Sequence, residues 1–133
     1  MDEIVICGAA RTAIGGFQGV FAPLSASVLG GHAIGAALAA SGAGGDQVTD
    51  LLMGCVLPAG QGQAPARQAG FHAGLPRDVP ATTLNKMCGS GMKAVMIAAG
   101  SGLLEPLGAL LGVGLSSGLE LAYPVGLGLA AGS

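Results

Sequence analysis

The stretch that decides the fold is TTLNKMCGSGMKAV, Thr82 to Val95. It begins as a strand and ends as a helix, and Cys88 sits at the change. The strand half, Val79 to Met87, is apolar and β-branched before it reaches Asn85-Lys86. The helix half runs from Gly89 to about Leu104 without proline. A helix start carries partial positive charge and N–H groups with no intrahelical partner. A thiolate there is stabilised, which makes it a better nucleophile at neutral pH. Gly89 and Gly91 add no side chains beside the sulfur, so an extended substrate has room to approach. Strand-to-helix turns also hold a side chain firmly, which suits covalent catalysis. From placement alone the plainer account, a small buried cysteine in a tight turn, is the better one.

Working outward, the pattern repeats. Ile4 to Ala10 is a short apolar run closed by Arg11-Thr12, and reads as a buried strand. Ser25 to Ala40 is rich in alanine and leucine; it reads as a helix with Ser25 or Ser27 near its cap and Gly42 at its end. Val48 to Leu57 reads as a second strand, followed by a flexible Gly60-Gln61-Gly62-Gln63 loop. Ala64 to Ala73 reads as a second helix with Pro65 in its first turn, where a missing N–H costs little. Ala109 to Leu115 has the composition of a fourth strand. The order β-α-β-α-β-α-β predicts an α/β domain with helices on both faces of the sheet, and continuous apolar strands agree with burial on both faces.

Bulk composition bounds the function. The 133 residues fit one domain. A net charge of -2 offers no basic face, so nucleic acid is not an expected partner. Charged residues make up 9% of the chain, against roughly 25% in ordinary soluble domains. So little charge predicts a surface covered by more chain or by a partner subunit. No membrane span is expected: the longest apolar region, Pro106 to Leu119, is broken by glycines and falls short of the ~20 residues required. The three cysteines, Cys7, Cys55 and Cys88, are odd in number, and two lie in strand-like runs. A reducing compartment is expected rather than a disulfide framework. The N-terminus has no basic amphipathic leader, so a cytoplasmic location is expected.

Other chemistries find little support. Cys88-Gly89-Ser90-Gly91 is not a G-x-S-x-G elbow, since Cys88 stands where the first glycine belongs. Gly60-Gln61-Gly62-Gln63-Ala64-Pro65 breaks the dinucleotide fingerprint at its third glycine. No His/Cys cluster has zinc spacing, so no metal site is expected. His32 and His72 read as surface or packing residues. Arg11 reads as a pin for the first loop, and Arg67 as a salt-bridge or subunit-facing residue.

The wording of several segments adds what composition does not. NKMCGSGMKAV resembles the nucleophile segment of the thiolases. IVICGAARTAIGGFQG resembles that family's opening strand and Ala-Arg-Thr-x-x-Gly turn. LLMGCVLPAGQGQAPARQAGFHAGLP resembles its second strand, loop and second helix. The resemblance covers roughly residues 4–97 in family order, and the wording is closest to the acetoacetyl-CoA-forming members, the acetyl-CoA acetyltransferases. It implies a thiolase-like fold, a mixed sheet covered by helices on both faces. It implies that Cys88 is the catalytic nucleophile, which takes an acyl group from a coenzyme A thioester as a covalent thioester. The acyl group then passes to a second acetyl-CoA by Claisen condensation, or to free coenzyme A in reverse. Coenzyme A thioester is then substrate, with no covalently bound cofactor. A homodimer or homotetramer is implied, with Asn85 and Lys86 close to the two-fold interface.

The resemblance also implies what these 133 residues lack. The family's remaining acid/base groups lie in a Gly-His-Pro motif and a Cys-x-Gly motif of its C-terminal half, and neither motif occurs here. The chain is therefore expected to be a thiolase-like N-terminal domain over 1–133, inactive without its C-terminal half. Val113 to Ser117 stands where the family has a Gly-Gly-Met-Glu-Ser-like turn, which leaves Ser116 in place of a glutamate, while Tyr123 matches the family's tyrosine. Two other readings remain at this stage: a ketoacyl-synthase-type condensing enzyme with different basic residues, and a non-catalytic scaffold of the same fold.

Overall fold

The computed structural model describes residues 4–101. Val5 to Val95 form one compact unit; Ile4 and the helical residues 96–101 are the described part of a second. The expected fourth strand, the turn at Val113 to Ser117 and Tyr123 lie outside the described residues.

Helix α1 spans Ala26–Ser41. Ser25 caps it, its hydroxyl accepting from the Val28 N–H at 3.3 Å. At the far end Gly42 takes a left-handed conformation, φ 73°, and its N–H returns to the Leu38 carbonyl. Both ends therefore follow the local chemistry that the sequence advertises. A short 3₁₀ turn, Gly45–Gln47, leads to strand β1, Leu51–Gly54. Helix α2, Pro65–His72, follows, and then strand β2, Ala81–Leu84. The last described helix, α3, begins at residue 90 and is helical to residue 101.

The two strands pair in parallel, Leu51 opposite Ala81 through to Gly54 opposite Leu84. Parallel neighbours need a crossover, and α2 supplies it, making a β-α-β unit. Further bonds from the Leu51 N–H to the Pro80 carbonyl and from the Cys55 N–H to the Leu84 carbonyl, both 2.9 Å, extend the ladder at each end. Alternation of helices with parallel strands is the α/β architecture expected from the sequence.

Helix α2 is the centre of packing. Ala66 and Ala69 are 0% and 1% exposed. Its start has no side-chain cap, because Ala64 carries no acceptor. Instead the Ala66 N–H donates to the Thr83 hydroxyl on β2 at 3.0 Å, so the strand satisfies a donor that the helix cannot. Helix α1 lies close against α2, and Gly31 makes that approach possible. A Cβ there would fall 2.5 Å from the His72 Cβ and 3.1 Å from the Ala69 carbonyl oxygen.

Arg67 corrects an expectation. Its guanidinium meets no carboxylate among the described residues. It donates to the Arg77 carbonyl at 2.9 Å and the Val79 carbonyl at 2.6 Å, and lies 5.7 Å from the centre of the Phe71 ring. It clasps the loop entering β2, which is backbone work that a fork of donors does well. Among the described residues Arg11 donates only to the neighbouring Thr12 carbonyl, at 3.3 Å.

The first segment is the larger correction. Ile4 to Ala10 forms no strand, and Val5 and Ile6 are 64% and 84% exposed. A strand needs a neighbour's N–H and C=O groups, and among the described residues the sheet has only β1 and β2. Between this segment, α1, Val48 and Leu75 lies an apolar cleft of about 440 Å³. Among the described residues no large side chain is fully buried.

Candidate active site

Because β1 and β2 are parallel and in register, their carboxyl ends lie at the same edge. That is the end at which open α/β sheets bind ligands. β1 leaves it through Cys55 and Val56, and β2 through Asn85, Lys86 and Met87. Cys88 follows, one residue before Gly89, whose carbonyl accepts from the Lys93 N–H at 2.9 Å and so opens α3. Cys88 is exposed at the apex of this turn.

The turn is built almost wholly from its own residues. The Gly89 N–H donates to the Lys86 carbonyl at 3.0 Å, and the Ser90 N–H to the Met87 carbonyl at 3.2 Å. The Asn85 side chain works in two directions. Its oxygen accepts from the Met87 N–H at 2.9 Å, and its amide donates across to the Val56 carbonyl at 3.0 Å. Asn85 thus holds the turn and ties it to the chain leaving β1. Met87 itself lies in the left-handed region, φ 48°, a conformation that costs a side-chain-bearing residue energy.

Gly54, the last residue of β1, sets how close α3 can come. A Cβ on it would lie 2.5 Å from the Gly91 nitrogen, 2.5 Å from the Ser90 carbonyl carbon and 2.7 Å from the Ser90 Cβ. Only a bare backbone fits there. A glycine inside an apolar strand is a recognised signal of such an approach, though it does not say what approaches. Gly89 and Gly91 behave differently. A Cβ on Gly91 would meet nothing within 4 Å, and one on Gly89 would come no nearer than 3.4 Å, to the Lys86 carbonyl oxygen. Neither is demanded by packing among the described residues; both leave open space beside the thiol-bearing turn.

The other candidates fall away from this turn. His32 and His72 are exposed on α1 and at the end of α2, and neither joins the bonds that build the turn. Cys55 is half-buried and lines a cavity of about 90 Å³ with Ser27, Gln61 and Ala66. Cys88 is not part of that lining. Cys7 is exposed on the irregular first segment. Among the described residues no three metal-ligating side chains gather, and no helix is long and apolar enough to cross a membrane.

A parallel β-α-β unit that feeds an exposed cysteine into the start of a helix defines a class: α/β proteins with a cysteine at a strand–turn–helix junction. Comparison with known proteins narrows it. The family model described as thiolase, N-terminal domain, matches residues 4–116. The chain belongs to the thiolase family. It is 54% identical over 101 residues to a mitochondrial acetyl-CoA acetyltransferase of Xenopus tropicalis, a match covering 76% of this chain and 24% of that one. With the acetyl-CoA acetyltransferase of Cupriavidus necator it shares 56% identity over 99 residues, covering 74% and 25% respectively. Among solved structures it is similar to the Acat5 thiolase from Ascaris suum in complex with coenzyme A. There the TM-score is 0.72 and the identity 33%, over 74% of this chain and 26% of that one. The chain thus spans about a quarter of the length of these relatives. Their names do not share one compartment: the frog protein is mitochondrial, and the bacterial name states none.

Proposed function

We propose that this chain carries the acyl-accepting cysteine of a thiolase of the acetyl-CoA acetyltransferase type. In the first half-reaction the Cys88 sulfur attacks the acyl carbonyl of a coenzyme A thioester. A bond forms between sulfur and acyl carbon, the bond to the coenzyme A sulfur breaks, and the cysteine proton ends on the departing thiol. In the second, the acyl carbon bonds to the deprotonated methyl carbon of acetyl-CoA. The bond to Cys88 breaks, and the proton lost from the methyl group is balanced by reprotonation of the cysteine sulfur. The products are acetoacetyl-CoA and the free enzyme; thiolysis runs the same steps backward with coenzyme A as the acyl acceptor.

The observation that carries this reading is the exposed Cys88 at the carboxyl edge of β1 and β2, directly before the start of α3. An N–H so placed suits the oxyanion that forms on the acyl carbonyl. Two further groups are required, a base for the thiol and an acid/base for the enolate, and we assign both to chain beyond Ser133. The share of the relatives' length covered here supports that assignment. By itself the 133-residue chain is expected to give no turnover. Met87, Met92 and Val95, exposed at 70%, 73% and 61%, support a homodimer or homotetramer that covers this face.

Selective alkylation tests the reading. Cys7 is exposed, as Cys88 is, so exposure alone does not single out Cys88. In the intact protein we expect iodoacetamide near neutral pH to modify Cys88 about tenfold faster than Cys7 or Cys55. Acetyl-CoA should protect Cys88 alone. Equal rates at all three cysteines, without protection, would instead mark a scaffold that kept the fold.

A further inference from the structure

Among the bonds at the turn, one set converges on a single strained residue, Met87. Ser90 is 5% exposed, and its hydroxyl closes the turn on itself. It accepts from the Lys86 N–H at 2.9 Å and donates to the Met87 carbonyl at 2.6 Å. Asn85 holds the other side of the same residue, accepting from the Met87 N–H at 2.9 Å while its amide is tied to the Val56 carbonyl at 3.0 Å. Both peptide units flanking the Met87 α-carbon are therefore held by side chains. Met87 is the residue in the left-handed conformation, φ 48°. Strain of this kind persists only where the surroundings over-determine it, and it gathers at functional sites.

We infer that Ser90 and Asn85 are positioning residues for Cys88: together they lock Met87 in its left-handed conformation, and that conformation aims the thiol and N–H of Cys88 at the acyl group. The inference rests on the acyl-transfer reading above. Left to relax, Met87 would return to a right-handed or extended conformation, swinging the next residue away from the strand ends. The thiol would remain exposed and chemically intact but pointed elsewhere. Neither side chain touches substrate in this account; each acts through the backbone of Met87.

The test is a double-mutant cycle in the intact protein, read as the rate at which acetyl-CoA acetylates Cys88. S90A is expected to slow acetylation about 10- to 100-fold, the scale set by small misplacements of a reacting group. The acetyl-CoA concentration giving half the maximal rate should stay within about twofold, since ground-state binding is untouched. Glycine adopts the left-handed region without strain, so in an M87G background the same S90A change should cost several-fold less. A serine that merely stabilises the fold would lose equally in both backgrounds, and that result would overturn the inference. If S90A does not fold, N85A carries the same comparison with the same expectation. Wild-type protein that accepts no acetyl group would remove the acyl-transfer reading and this inference with it. Normal acetylation of wild type together with an unimpaired S90A or N85A would remove the inference alone.

Discussion

Replacing Cys88 by serine in the intact protein is expected to lower acetoacetyl-CoA formation and thiolysis by about 10⁴-fold or more, the scale seen when a covalent nucleophile is removed. The size follows from what the sulfur does. In the proposed mechanism it forms the only covalent link between the acyl group and the protein, so no neighbour would share the work. A serine hydroxyl has nearly the same shape but is a far weaker nucleophile, so the loss should lie in turnover and not in folding. The Cys88 side chain is exposed and makes no hydrogen bond among the described residues, which predicts an unfolding midpoint close to wild type. Steady-state kinetics beside urea unfolding separates the two. Retention of more than about a tenth of wild-type turnover would move the chemistry to another residue.

The second large effect lies at the last residue of β1. Gly54→Ala would place a methyl group 2.5 Å from two backbone atoms of α3, the Gly91 nitrogen and the Ser90 carbonyl carbon. Backbone atoms cannot rotate aside as a side chain does. β1 is pinned in register against β2, and the turn before α3 is pinned by Asn85 to Val56. Either the strand or the helix start must move. We expect a destabilisation of about 2–3 kcal/mol, typical of overpacking. A displacement of the turn by about an ångström should also cost roughly 10²-fold in activity. Denaturant unfolding and turnover of the same sample check both. Wild-type stability and rate in G54A would show that α3 does not approach β1 so closely.

The ends of α1 and the proline start of α2 were readable because they depend on residues adjacent in sequence. A serine cap, a left-handed glycine and a first-turn proline each act within one turn of chain. The strand–turn–helix around Cys88 was readable for the same reason. The first segment was not. Ile4 to Ala10 has strand composition, but pairing depends on a neighbour, and among the described residues there is none. Arg67 looked like half of an ion pair because it is charged; its partners turned out to be carbonyls some ten residues away. Gly54 signalled a close approach without naming α3 as its cause. Ser90 gave no signal at all. Its role needs a hydroxyl at one angle across a turn, and a serine in a glycine-rich stretch looks like any loop serine. The family itself was legible from motifs in series, and the matching of residues 4–116 to the thiolase N-terminal domain agrees with it.

The central claim is that Cys88 accepts an acyl group. The most direct measurement is peptide-resolved mass spectrometry of the intact protein after brief mixing with acetyl-CoA and an acid quench. The account predicts one acetyl group per chain, on the peptide containing Cys88, labile to hydroxylamine as a thioester is, discharged by added coenzyme A and absent from the Cys88→Ser variant. Acetyl groups that form on Cys7 or Cys55 instead, or none while turnover proceeds, would contradict it.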